Sequence, residues 1–378
     1  MDASVGVIGV GTMGSMLMWQ LAKAGVSAIG FEQFGIGHDR SAAGGESRIF
    51  RTAYFEGPEY VPLLQESYKL WRELEEDTKS NLLTINGGLM IGEESLLGNV
   101  MKSVKDFQLE HEVLSADTVM HRYPQHRLSP SEIAVLDKKA GFIRPEVAVV
   151  AAVEAAKENG AEIFPYTRVE SIHNSGAGVI VRANGRDFKF EKVFVTAGPW
   201  TKRFLPQLND QFSVKRIVMT WYPAKDISLY TVERFPIFAR LGKEHDYFGI
   251  PVLDGSMVKI SRVGYYNEAA DPDRLNRDVA PEELEIINSF VKESMPGILP
   301  NPTRLGVYMD GYMEDEHAII GQAPHLDNVY IMGGYSGHGF KMAPVMGKVG
   351  LDILIKGKTE LPIQHLKLSR HLTAASLE

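Results

Sequence analysis

The chain of 378 residues contains no cysteine. That excludes disulfides, thiolate zinc sites, iron–sulfur clusters, thiol catalysis and any cysteinyl-linked cofactor. No apolar run approaches the ~18 residues of a membrane helix. The first residues enter a strand pattern directly, with no signal-peptide core, so a soluble cytoplasmic protein is expected. There is no basic excess: 40 Lys and Arg stand against 48 Asp and Glu, for a net charge of −8. This argues against non-specific binding of nucleic acid or a membrane surface. GxSxG and HExxH are both missing, so neither a hydrolase elbow nor a zincin site is present. No metal site is expected, and Asp315-Glu316-His317 would make an unusual one. Glu110-His111-Glu112 reads as a solvated loop or helix end. Ala374–Glu378 has the look of a cloning scar and is left out of the fold.

What is present is ordinary globular composition, 44% apolar and 23% charged, in a chain long enough for one large or two interleaved domains. Residues 5–9 (VGVIG) read as a buried parallel strand, 13–24 as a helix ended by Gly25, and 27–32 as a second strand. Helices are expected over 60–76, 145–159 (with Pro145 in its first turn and Gly160 past its end), 281–293 and from Gly339 to about Lys356. Short strand-like runs fill 161–198 and 213–265, and 328–333 is another apolar strand. The expected fold class is α/β. A Rossmann-like dinucleotide domain (1–80, 141–215 and 320–372) is interleaved with a sheet-rich α+β domain (81–140 and 216–319).

Gly9-Val10-Gly11-Thr12-Met13-Gly14 is a GxGxxG placed between a strand and a helix. Gly9 permits the tight turn, Gly11 admits a pyrophosphate to the backbone, and Gly14 allows close helix–strand packing. The helix N-terminus favours the anion. Glu32, at the end of the second strand, suits the ribose of an adenosine. The motif does not separate NAD from FAD. Val195–Trp200, a strand ending in small residues, is close to uninformative alone. The run Gly333–Lys341, leading into the late helix, fits a plain strand-to-helix turn, a flavin ring or a second phosphate. Arg48 and Arg51 fit either surface ion pairs or a carboxylate site, since Arg presents a planar fork. Lys341 opens a helix, where a cation is disfavoured by the dipole, which points to a ligand.

Taken together, the front motif with Glu32, the run Gly45-Glu46-Ser47-Arg48-Ile49-Phe50-Arg51, Ala197–Trp200, Asp315-Glu316-His317 and Gly337-His338-Gly339-Phe340-Lys341 resemble the monomeric sarcosine oxidase family. That family includes N-methyltryptophan and fructosyl-amino acid oxidases, within the D-amino acid oxidase-like flavoproteins. The resemblance implies an FAD oxidase of secondary-amine amino acids: the amine is oxidised to an imine, which hydrolyses, and oxygen becomes hydrogen peroxide. It implies Arg51 and Lys341 as the substrate-carboxylate site and Arg48 beside the flavin. Lys259 would activate oxygen, with an outward residue of an alternating strand as the competing reading. FAD contacts are expected from Gly9, Gly11, Thr12, Met13, Gly14, Glu32, Gln33, Ser41, Arg48, Ala197, Gly198, Trp200, Gly337, His338, Gly339, Phe340 and Lys341. The partners implied are a small amino-acid substrate and O₂, and the protein is expected to be a monomer.

Two departures stand out. The position of the family's flavin-linking Cys holds Tyr308, so FAD is expected to be non-covalent. Asp310 stands where the family is often apolar. In the pocket it would take hydrogen bonds from a sugar, favouring fructosyl amino acids over N-methyl ones. Before Gly311 it would equally serve a solvent-facing turn. The alternatives from other classes are an NAD-dependent dehydrogenase and a non-catalytic FAD-binding protein.

Overall fold

In the computed structural model, which describes residues 1–40, 42–208, 210–264, 267–269 and 271–372, the front of the chain forms the expected βαβ unit. Ser41 and the tail at 374–378 lie outside the described residues. The strand Ala3–Ile8 is apolar on both faces because both faces are covered. It runs parallel to Ala28–Phe31 on one side and to Arg186–Val195 on the other. Val329–Gly333 and Glu162–Phe164 extend the parallel core at its two ends. A hairpin, Val169–Ser175 with Gly178–Ala183, adds to the first half of Arg186–Val195, and Ile319–Gln322 pairs antiparallel with Val329–Gly333.

The helix Thr12–Lys23 packs between Pro145–Glu158 and Ala343–Lys356, with Val61–Thr78 beside them. Met16, Leu17, Trp71, Ala152 and Val345 form the core of that face. Phe31, Phe188, Phe190 and Trp200 fill another core cluster. Gly9 and Gly14 carry the junction of strand and helix. Gly9 has φ +89°, and a Cβ on Gly14 would overlap the Gly9 carbonyl oxygen.

A second sheet is built on two long antiparallel strands, Phe212–Pro223 and Arg304–Met313. Met257–Arg262, Tyr247–Ile250, Ile237–Arg240, Gly88–Glu93, Glu132–Asp137 and His111–Ser115 follow in spatial order. A three-stranded patch, Arg48–Phe50, Gly141–Ile143 and Leu83–Ile85, stands apart from both. The expected boundary at 215 falls inside the strand Phe212–Pro223, and the one at 80 separates Leu83–Ile85 from its partner Gly141–Ile143.

Two local readings are corrected. Glu110 is exposed loop, but His111-Glu112 is no loop or helix end, because His111 opens a strand whose Glu112 pairs with Arg122 at 2.8 Å and Lys138 at 3.2 Å. Asp310 is not on a solvent turn. It lies within Arg304–Met313 and is 8% exposed. Side chains two apart on a strand share a face, which puts Tyr308, Asp310 and Tyr312 together.

Candidate active site

The glycine turn opens onto a cavity of about 580 Å³. Gly9, Gly11, Thr12, Met13, Glu32, Gln33, Ala197, Gly198, Trp200, Gly339 and Phe340 all line it. Gly14 does not line it and acts behind the turn. The helix after Gly11 has no side-chain cap and no acid in its first turn, and Ser15 N–H is bonded to the Gly11 carbonyl. The amides ahead of it, on cavity-lining residues, thus suit a pyrophosphate. The Glu32 carboxylate accepts from Val10 N and Phe34 N, both at 3.0 Å, and is 4% exposed. It is thereby fixed at the cavity wall, with acceptor capacity left for ribose hydroxyls. Thr196, which sequence reasoning missed, braces the turn by donating to the Gly9 carbonyl at 2.7 Å.

A smaller cavity of about 130 Å³ adjoins the first and shares Ala42, Asp310, Gly339 and Phe340 with it. Arg48, Arg51, Gly337, His338 and Lys341 line it, against an apolar side of Ile49, Phe55, Ile217, Met219 and Phe248. Arg51 is 4% exposed and its Nη1 has no partner, while Nη2 meets the Glu56 carboxylate at 2.6 and 2.7 Å. The guanidinium lies 3.7 Å from the Phe55 ring centre and 4.3 Å from that of Tyr54. Burial raises the Glu56 carboxyl, but Arg51, His338 and Lys341 outweigh it and hold it below its ordinary value. Glu56 was not foreseen. Lys341 Nζ donates to the His338 carbonyl at 2.8 Å and lies 3.4 Å from the Tyr54 hydroxyl. Burial first, and then Arg51, lower this ammonium to about 7.

Arg48 turns its guanidinium into its own loop. It donates to Ser47 O at 2.8 Å and Ala42 O at 2.7 Å, and also to Gly44 O. Lys259 lines neither cavity. Its buried Nζ donates to Gly45 O at 2.8 Å and Ser47 O at 2.9 Å, so it supports the Arg48 loop from behind. Burial, then Arg48, push it well below its ordinary value. It is thus not the outward strand residue of the competing reading. Glu146, also unforeseen, holds the same loop by accepting from Gly45 N at 2.6 Å and Glu46 N at 2.9 Å. Asp310 lines both cavities, but its two oxygens already accept from Gly311 N at 2.8 Å and Gly337 N at 3.1 Å. The carboxylate therefore needs no sugar to be partnered there, while each oxygen keeps a lone pair for a further donor. Burial raises this carboxyl to about 6.

Residues 4–352 match the family described as FAD dependent oxidoreductase. The chain belongs to that family. Its cofactor is therefore FAD, and the NAD alternative falls away. Among relatives of this FAD-dependent oxidoreductase, monomeric sarcosine oxidase of Streptomyces avermitilis is 33% identical over 94% of both chains. The solved structure of NikD, an unusual amino acid oxidase essential for nikkomycin biosynthesis, has the same fold, with a TM-score of 0.84 at 20% identity over 97% of both chains. Amadoriase I of Aspergillus fumigatus, a fructosyl amine:oxygen oxidoreductase, matches with a TM-score of 0.79 at 19% identity, over 100% of this chain and 91% of that one. Among the described residues no group of acids and histidines is suited to a metal ion, and no helix is long and apolar enough to cross a membrane.

Proposed function

We propose that this FAD-dependent oxidoreductase oxidises α-amino acids with a small N-substituent, N-methyl ahead of fructosyl, passing electrons to oxygen to form hydrogen peroxide. The observation that carries this is the unpartnered Arg51 Nη1 beside the Lys341 ammonium, on a cavity that opens to the cofactor site. Two buried cations there call for an anion, and a carboxylate fits the guanidinium fork. FAD, when bound, supplies a two-electron acceptor. The chain's own part is to fix the carboxylate on Arg51 and Lys341, and so to orient the α-carbon and its amine toward the shared wall. Ile217, Met219 and Phe248 keep water from the N-substituent. Arg48, with Lys259 behind its loop, supplies positive charge where oxygen is reduced.

The small cavity and its apolar side support an N-methyl group. The fructosyl reading keeps one observation in its favour, the Asp310 carboxyl on the cavity wall. The likeness to amadoriase is one of fold. We further take the protein to be a monomer with non-covalent FAD, since Tyr308 cannot supply a thioether. We assign the two large sheets to two interleaved units. Peroxide release from sarcosine, N-methyltryptophan, proline, pipecolate, fructosyl-glycine and fructosyl-valine tests the reading. Sarcosine-type substrates should lead. Fructosyl-valine turning over fastest reverses the order of the two readings. An FAD-loaded protein that releases peroxide from none is a binding protein instead.

A further inference from the structure

The segment Asp315-Glu316-His317 anchors a directional chain of hydrogen bonds that ends on Lys341. His338 Nε2 lies 2.9 Å from the Glu316 carbonyl, which only accepts, so Nε2 carries the hydrogen. Burial lowers the ring to about 4, which keeps it neutral. Nδ1 is then a lone pair, and the Tyr54 hydroxyl, 3.0 Å away, donates to it. That uses the only hydrogen of the hydroxyl. Toward Lys341 Nζ, 3.4 Å away, Tyr54 presents an acceptor alone.

The far end of the chain is held rigidly. Glu316 has φ +59°, and Arg370 fixes its neighbours by donating to Asp315 at 2.7 and 3.1 Å and to the His317 carbonyl at 2.5 Å. The backbone of Lys341 is held too, since Ser67 Oγ and Trp71 Nε1 donate to its carbonyl at 2.6 and 3.0 Å. Tyr54 is fully buried and meets both cations, Arg51 through its ring and Lys341 through its oxygen. Glu56 is the carboxylate acting on Lys341.

We propose that Tyr54 is a positioning residue that aims the Lys341 ammonium at the substrate carboxylate, with its own hydroxyl direction set by His338 and the Glu316 carbonyl. This rests on the reading of Arg51 and Lys341 as the carboxylate clamp. Tyr54→Phe keeps the ring under Arg51 and removes the hydroxyl alone, both the acceptor toward Lys341 and the donor to His338 Nδ1.

The probe is methoxyacetate, which has the carboxylate and lacks the amine, titrated by calorimetry into FAD-loaded protein beside KM and kcat measurements. Tyr54→Phe should weaken methoxyacetate and raise KM about three- to tenfold, the range of an ordinary net hydrogen bond, with kcat within about twofold. His338→Ala, which unties the hydroxyl, should act in the same direction. In a Lys341→Met background neither change should have a further effect. Full-strength binding in both variants overturns the proposal, as does an undiminished loss in the Lys341→Met background. A wild type that binds no methoxyacetate overturns the clamp itself, and the proposal with it.

Discussion

Lys341→Met separates what the buried ammonium does for binding from what it costs the fold. The group falls from 10.5 to about 7 in the folded protein. Between those values the unfolded chain holds the extra proton, so stability contributed at this site rises with pH from about 7 upward. At 1.36 kcal/mol per unit, keeping this lysine buried at neutral pH costs on the order of 4 kcal/mol. Methionine removes that cost but leaves the His338 carbonyl without its donor, a loss of about 1–3 kcal/mol. The variant should therefore be more stable than wild type by roughly 1–3 kcal/mol, a rise of a few degrees in thermal midpoint. The same change should raise KM about ten- to a hundredfold, the worth of one charge-assisted bond to the substrate carboxylate. In wild type, methoxyacetate affinity should fall as pH rises through about 7, and in the variant it should be flat across that window. Calorimetric titration from pH 6 to 9 and thermal melts at each pH supply both readings. A lower midpoint together with an unchanged KM would refute the reasoning at both ends.

The other predictions concern the same pair of cavities. Asp310 is raised from 3.8 to about 6, so its contribution is fully present below pH 3.8 and is lost as pH rises through 6. The thermal midpoint of Asp310→Asn relative to wild type should climb between pH 4 and 7, and a flat difference would contradict this. Glu56→Gln frees Arg51 from a competing carboxylate and should tighten methoxyacetate by roughly tenfold. Weaker binding would mean that Glu56 orients Arg51. Lys259→Met should slow oxygen consumption by about two to three powers of ten, with anaerobic bleaching by substrate less affected. Equal slowing of both half-reactions in stopped flow removes Lys259 from the oxygen step. Acid precipitation should leave all FAD in the supernatant, and flavin in the pellet would reveal a link through another residue.

The first sheet was legible because its signals are local. A glycine turn needs Gly9 for its positive φ and Gly14 for close packing, and continuous apolar runs need cover on both faces. The second sheet and the three-stranded patch were only partly legible. Ile237–Arg240 in the sheet and Leu83–Ile85 in the patch are short and draw their stability from partners far along the chain. Arg304–Met313 carries two glycines and an aspartate, which lower its strand propensity. The glycines are there for Tyr308 and Phe212, whose rings a Cβ at 306 or 311 would strike. The partners of Asp310 were missed for a related reason. Its donors are backbone amides of Gly311 and Gly337, and no pattern of side chains announces a backbone donor. Glu56 and Glu146 act on the site from a loop and a helix start, and each looks like an ordinary surface acid in one dimension. Arg51 and Lys341, the pair we propose for the substrate carboxylate, were singled out through family likeness and, for Lys341, helix-dipole mismatch.

The order in which the strands are synthesised bears on how the protein is made. Arg186–Val195 needs Val329–Gly333 as its parallel neighbour, and more than a hundred residues of the second sheet are translated between them. Until the last seventh of the chain leaves the ribosome, the edge at Val193–Val195 has no permanent partner. Slow closure of distant parallel strands exposes such an edge to other chains. Recovery of folded protein should therefore depend on cell temperature and chaperone supply more than its equilibrium stability would suggest, and truncation before Val329 should send it to the insoluble fraction.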